Sequence, residues 1–403
     1  MQDLAPSRIV SYDEASAIVA QHADRLLPRH SPESVGLLEA LGRVLAQPVL
    51  ADRDQPPFPR STRDGFACRA ADTTASLRII GSIRAGESMA DTLAPGQAVE
   101  IMTGAPLPQG TDCVAMLEHV ERDGNTVRLA EGRRITAGEN VVPRGAEARA
   151  GEVILPPGAR IAPAQVAAAA ACGASQLHVF PRPRVAIIAT GDELVEVNQA
   201  PLPQQIRNSN SYSLAAQVSA AGGEPVRFPI ARDERGHLES TIGKALKNDL
   251  LLLSGGVSMG KYDLVEEVLL SQGAEFFFTG ALIQPGKPVV FGRLGELYFF
   301  GLPGNPVSTM VTFLLFVQTV LGALAGEPDR RPHLAQAHLA REVRVKTGLT
   351  RFLPARLVGV QVEAVSWQGS GDLAATSRSN CFVVVPPDRP LLSAGETVTI
   401  LLA

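Results

Sequence analysis

The sequence predicts a multidomain α/β plus β protein organised around a central α/β domain with a parallel sheet. Three observations predict it. Residues 184–325 alternate apolar runs of strand length with helical segments, the pattern of strands buried on both faces and joined by helical crossovers. Residues 77–155 are short alternating segments cut by Gly and Pro turns, such as "DGNTVRL" at 123–129, the pattern of a β-domain. Residues 334–403 repeat that pattern after a charged, proline-containing linker, "GEPDRRPH" at 326–333, and read as a second, small β-domain. At 403 residues the chain exceeds one ordinary domain, so two to four are expected.

Taken in order, "SYDEASAIVAQHADRLL" (11–27) reads as a helix capped by Ser11, with Glu14 completing a capping box. "ESVGLLEALGRVLAQPV" (33–49) reads as a further short helix, and "ADRDQPPFPRSTRDGFACR" (51–69) as loop. "APAQVAAAAACGA" (162–174) is a helix ended by Gly173. Strands are expected at "RVAIIAT" (184–190), "PVRFPIA" (225–231), "DLLLLSG" (249–255) and "LYFFGLPG" (297–304), with helices near 210–222, 234–248, 263–272 and 305–325. The last helix holds the most membrane-like stretch, "MVTFLLFVQTVLGALAG" (310–326). It contains Gln318 and two threonines and is shorter than the roughly 20 residues a span needs, so a buried helix is expected. No basic and apolar leader precedes residue 15, so no signal peptide is expected.

Composition excludes several functions. A formal net charge of −4, no long basic run and an aromatic fraction of only 5% argue against a nucleic-acid surface. The four cysteines (Cys68, Cys113, Cys172 and Cys381) form no CxxC pair, which disfavours a thiolate zinc site and suits reduced thiols in a cytoplasmic protein. The seven histidines show neither HxH nor HExxH spacing, and no GxSxG elbow occurs.

Open α/β sheets bind ligands at the carboxyl ends of their strands, so the residues that follow each strand carry the chemistry. After "VAIIA" come Thr190, Gly191, Asp192 and Glu193. After "LLLL" come Ser254, Gly255, Gly256, Val257, Ser258, Met259 and Gly260, then Asp263. After "FTGALI" come Pro285, Gly286, Lys287 and Pro288, and after "LYFFGL" come Pro303, Gly304, Asn305, Pro306, Val307 and Ser308. Glycines let backbone N–H groups approach an anion, serines add donors, and a following helix offers its positive end. One such loop is equally well a plain strand–helix turn. Four at strand ends argue for a phosphate site, and acids beside it suit magnesium, which takes oxygen donors. Walker A and GxGxxG spacings are absent. Asp64 in "STRDGFACR" and Thr103 in "IMTGAPLPQG" sit in further Gly/Pro turns.

The ordered set "PPFPRSTRDGFA", "IMTGAPLPQG", "TGDEL", "QIRNSN", "LLLSGGVSMGKYDLV", "QPGKP" and "GLPGNPVS" resembles the molybdopterin molybdenumtransferase family, which includes bacterial MoeA and the C-terminal domain of gephyrin. The resemblance spans essentially the whole chain. It implies an elongated N-terminal helical and linker domain (1–51 with 145–176) and a β-rich domain (52–144). A molybdopterin-binding α/β domain (177–326) and a C-terminal β-barrel (327–403) would follow. It implies a homodimer whose cleft joins the α/β domain of one subunit to N-terminal parts of the other. The implied reaction is molybdate insertion into adenylylated molybdopterin with release of AMP, with magnesium as cofactor, and contact with other cofactor-synthesis proteins is a further expectation. Matched residue by residue, Asp64, Glu193, Asp233 and Asp263 become the functional acids, the last three also holding the metal. Thr103, Thr190, Gly191, Asp192, Ser254, Gly255, Gly256, Ser258, Gly260, Pro303, Gly304 and Asn305 become the substrate-binding set. Lys287, Pro288, Ser308, Arg351 and Ser377 become the molybdate pocket, whose cations and hydroxyls suit an oxyanion.

The sequence departs from the family where many relatives read Lys-Pro-Gly-Lys-Pro. Here Gln284 begins that turn and removes one positive charge. A tungstate-inserting variant is therefore an alternative. A non-catalytic scaffold is a second, although the retained acids argue against it. A different nucleotide-dependent α/β enzyme is a third, weakened by the missing nucleotide signatures.

Overall fold

The computed structural model describes residues 8–255 and 264–403. The central unit is a six-stranded sheet in the order Glu224–Arg227, Arg184–Ala189, Leu250–Ser254, Leu297–Leu302, Val290–Leu294, Glu275–Phe278. The first four strands are parallel, and the last two pairings are antiparallel, so that Val290–Leu294 alone runs against the others. The sheet is thus mixed, where the sequence suggested a parallel one. The short Gly295–Glu296 connection explains the difference, because two strands joined that tightly can only pair antiparallel. Ile187, Leu252 and Phe300 point to one face, while Ile188, Leu251 and Phe299 point to the other. Both faces are buried, which is why these runs are apolar without alternation.

Helices Asn210–Ala220, Arg235–Ala245 and Leu264–Ser271 are the crossovers. The long helix, Pro306–Leu324, is mostly buried and passes through a π-helical segment at Phe313–Val317. It is long and apolar enough to cross a bilayer, but it is the central helix of the largest apolar cluster. The first helix, Tyr12–Ala23, starts at Ser11, whose Oγ accepts from Glu14 N at 3.1 Å. The other half of the expected box is not made, since the Glu14 carboxylate meets Arg8 instead. Buried Ala15 and Val19 lay this helix on the α/β core.

The segment 33–49 is not a helix. Glu33–Gly36 is a strand paired antiparallel with Gln176–Val179, followed by a single turn in which Ala40 N donates to Gly36 O. A short isolated helix is marginal, and pairing with a distant strand wins over the local pattern. Val49–Leu50 pairs likewise with Val153–Leu155. The helix Pro163–Ala171 ends as expected, with Gly173 at φ +77°. Residues 65–129 supply a second six-stranded sheet, and its Val120–Asp123 and Thr126–Leu129 hairpin turns at Gly124.

Five C-terminal strands (Leu334–Leu339, Thr350–Val358, Gln361–Ala364, Cys381–Val385, Thr397–Leu402) pair in a closed ring, a small barrel. A sixth strand, Ile283–Gln284, adds to it in parallel and sets Gln284 opposite Arg351. The Pro285–Pro288 turn therefore follows a strand of the barrel sheet, and three rather than four of the expected loops end strands of the α/β sheet. All four cysteines are free and buried. Arg160 joins the parts, donating to Gly42 O, Ala221 O and both carboxylate oxygens of Glu327.

Candidate functional site

Three parallel strands end side by side, and their following residues meet backbone to backbone. Thr190 N donates to Ser254 O at 2.9 Å, and Gly255 N donates to Leu302 O at 3.3 Å. Gly255 has φ +89°, and a Cβ there would lie 2.4 Å from Thr190 O. Only glycine fits that approach. Gly304 lies alongside, its added Cβ 3.8 Å from Gly255 Cα.

These ends form one wall of a cavity of about 360 Å³. Thr190, Glu193, Ser254, Gly255, Gly304 and Asn305, all named from the sequence, line it. Thr190 Oγ1 is buried with no hydrogen-bond partner among the described residues. An orphaned hydroxyl of that kind costs about 1–3 kcal/mol, which a bound polar group would offset. Gly371 and Leu373, from the C-terminal region, close another side. Their turn is anchored by Asp372, whose carboxylate accepts from Ala375 N and Gln368 N, and by Val307 N donating to Ser370 O. Gly191, Asp192 and Pro303 adjoin the lining. Gly256, Ser258, Gly260 and Asp263 lie outside the described residues.

The carboxylates beside the cavity are crowded. Asp233 follows Ala231, which bridges to Thr190, and its N–H donates to Asp192 Oδ1 at 3.4 Å. Its carboxyl is pushed above the usual range, first by lost hydration and then by the charges of Asp192 and Glu193. Among the described residues no three acidic, His or Cys side chains gather as a metal cluster.

The expected molybdate residues are carried by adjoining elements. Lys287 and Pro288 follow the strand whose Gln284 faces Arg351. Arg351 Nε donates to Lys346 O at 2.9 Å. Buried Ser308 is on the helix Pro306–Thr312, against the short helix Leu373–Thr376. Ser377 caps that short helix and donates to Ala374 O.

Asp64 and Thr103 are together on the β-rich sheet and do not line the cavity. Asp64 Oδ1 accepts from Thr103 N at 2.7 Å and Thr103 Oγ1 at 2.9 Å, and these bonds hold its carboxyl below the usual range. Valine at 103 keeps the first bond and loses the second. The expected result is a rise in the Asp64 pKa partway to the ordinary value, read by NMR titration. A depressed carboxylate contributes stability above its unfolded pKa and loses it as pH falls through the folded one, so Thr103→Val also narrows the acid margin.

Sequence reasoning missed Arg207, Asn208 and Asn210, which also line the cavity. They lie in "QIRNSN", whose order matched the family but whose composition reads as loop. Arg207 is the only cationic side chain among the described lining residues, with Nε donating to Val197 O. Arg207→Gln is expected to weaken binding of inorganic pyrophosphate, used as an anionic probe, about tenfold at low salt and to flatten its salt dependence. Titration calorimetry at two ionic strengths checks both, and an unchanged salt slope would remove Arg207 from the ligand's field.

Fold and site together define a multidomain α/β protein with a strand-end cleft for a polar, anionic ligand. Three family models match in chain order: MoeA N-terminal region (domain I and II) at residues 10–173, probable molybdopterin binding domain at 186–323, and MoeA C-terminal region (domain IV) at 336–403. A molybdopterin molybdenumtransferase of Nostoc sp. is 36% identical, covering 97% of this chain and 93% of the relative. One of Haemophilus influenzae is 34% identical, covering 91% and 93%. A molybdopterin biosynthesis moeA protein of Pyrococcus horikoshii superposes with a TM-score of 0.82 at 29% identity, covering 98% of this chain and 100% of that one. The chain belongs to the molybdopterin molybdenumtransferase family.

Proposed function

We propose that the protein serves a late step of molybdenum cofactor biosynthesis as a transferase, inserting molybdenum into adenylylated molybdopterin with release of AMP. The observation that carries this reading is the convergence of three strand-end loops, with their close glycine, on one polar cleft. Backbone N–H groups and Arg207 suit the pyrophosphate of such a substrate. Lys287, Pro288, Ser308, Arg351 and Ser377 are the molybdate residues in this reading, supported by the cations and hydroxyls that suit an oxyanion.

The Asp233 carboxyl is raised by lost hydration and then by the charges of Asp192 and Glu193, and a hard cation drawn to these acids would relieve the second cause. In this reading Glu193, Asp233 and Asp263 hold magnesium, which when bound neutralises phosphate charge. The chain's own residues bind and orient the nucleotide, while Gly371 and Leu373 limit access of water. Asp64 belongs to the same cleft only through a second subunit, so the reading includes a homodimer in the cytoplasm. Sedimentation analysis tests the dimer.

The central test supplies purified protein with adenylylated molybdopterin, molybdate and magnesium and measures AMP. Release that depends on both ions is expected. Binding of the substrate with no release would instead support a scaffold role. Because Gln284 lacks the charge of a lysine, tungstate is run in parallel, and faster release with tungstate would reassign the oxyanion.

A further inference from the structure

The ladder of the two central strands ends at Ser254 and Leu302, and the backbone bond that follows among the described residues, Gly255 N to Leu302 O, is long at 3.3 Å. The next connection is a side chain from a third segment. Asn210 opens the crossover helix Asn210–Ala220, and its Nδ2 donates to Ser254 Oγ at 2.9 Å and to Gly304 O at 2.8 Å. The Gly304 carbonyl can only accept, so it fixes which end of the amide carries the nitrogen. Both amide protons are thereby committed to two different strand-end loops, while Oδ1 has no protein partner among the described residues.

We propose that Asn210 is a positioning residue that clamps the Ser254 loop to the Gly304 loop and so preforms the backbone that receives the adenylate half of the substrate. The clamp rests on the functional reading only for the identity of the nucleotide; the two bonds and their effect on the loops do not depend on it. A preformed loop pair removes an ordering cost that is otherwise met when the substrate binds, before any bond breaks. Its loss therefore raises KM and spares kcat.

The test compares the full-length protein with Asn210→Leu, Ser254→Ala and the double variant. In Asn210→Leu, amide hydrogen exchange at 254–255 and 303–305 is expected to quicken with no ligand present. KM for adenylylated molybdopterin should rise about tenfold, with kcat within about threefold of the parent. In the double variant the two effects should combine less than additively, since one hydrogen bond is common to both. A loss of kcat at unchanged KM would show merely a smaller folded fraction and overturn the proposal, as would unchanged exchange or additive effects. If exchange quickens but the parent releases no AMP, the clamp stands and the assignment of the reaction falls.

Discussion

Gly255→Ala is expected to abolish most activity and to lower thermal stability together. The Cβ would enter within 2.4 Å of Thr190 O, a backbone atom that cannot swing away as a side-chain tip could. That oxygen belongs to a residue 2% exposed, at the end of a strand whose neighbour Leu250–Ser254 is buried throughout. Alanine would also have to hold φ near +89°. Forced backbone of this kind costs about 1–3 kcal/mol before any clash is counted. The sheet relieves it by parting the Thr190 and Ser254 ends, which are the floor of the cleft. AMP release should fall at least about tenfold for each 1.4 kcal/mol of misplaced binding, and the thermal midpoint should fall by several degrees. Gly304→Ala is the control. Its φ is ordinary and among the described residues its Cβ would meet only Gly255 Cα at 3.8 Å, so stability should hold. Equal stability of the two variants would show that the close approach at Gly255 is not needed.

The same contact explains why so much of the site was readable in advance. A strand that ends in Ser-Gly-Gly, or in Leu-Pro-Gly-Asn, announces a turn at the carboxyl edge of the sheet, and ligands in such folds gather there. Thr190, Ser254, Gly255, Gly304 and Asn305 follow from that rule with no knowledge of packing. Asn210 and Arg207 do not. Asparagine before a helix is the ordinary signal of a cap, and an arginine after a polar loop is the ordinary signal of a solvated surface. What makes Asn210 special is the presence of Ser254 and Gly304 within bonding distance, 44 and 94 residues along the chain. The errors of fold have the same origin. Residues 33–49 carry helical spacing but are claimed by a partner strand near 176, and "QPGKP" follows a strand that the barrel captures through Arg351. Long-range pairing overrules local pattern, and one sequence shows the pattern alone.

Asp233→Asn separates what the acids do for the reaction from what they do for the fold. A carboxyl whose pKa is raised in the folded state is a net cost when ionised, so at neutral pH its charge opposes folding. Asparagine keeps the shape and the backbone N–H that meets Asp192 Oδ1 while removing that charge. Without magnesium, the variant should melt no lower than the parent and somewhat higher if the repulsion from Asp192 and Glu193 is fully relieved. Turnover should move the opposite way. If these acids hold a cation against the phosphates, loss of one removes charge neutralisation worth several kcal/mol, roughly a hundredfold or more in rate. Half-saturation by magnesium should shift upward about tenfold or more. A site kept at a cost to stability is selected for its chemistry, and this variant tests that trade directly. Full activity at parental magnesium would remove Asp233 from the metal set. A lower melting temperature would instead make its carboxylate a structural group.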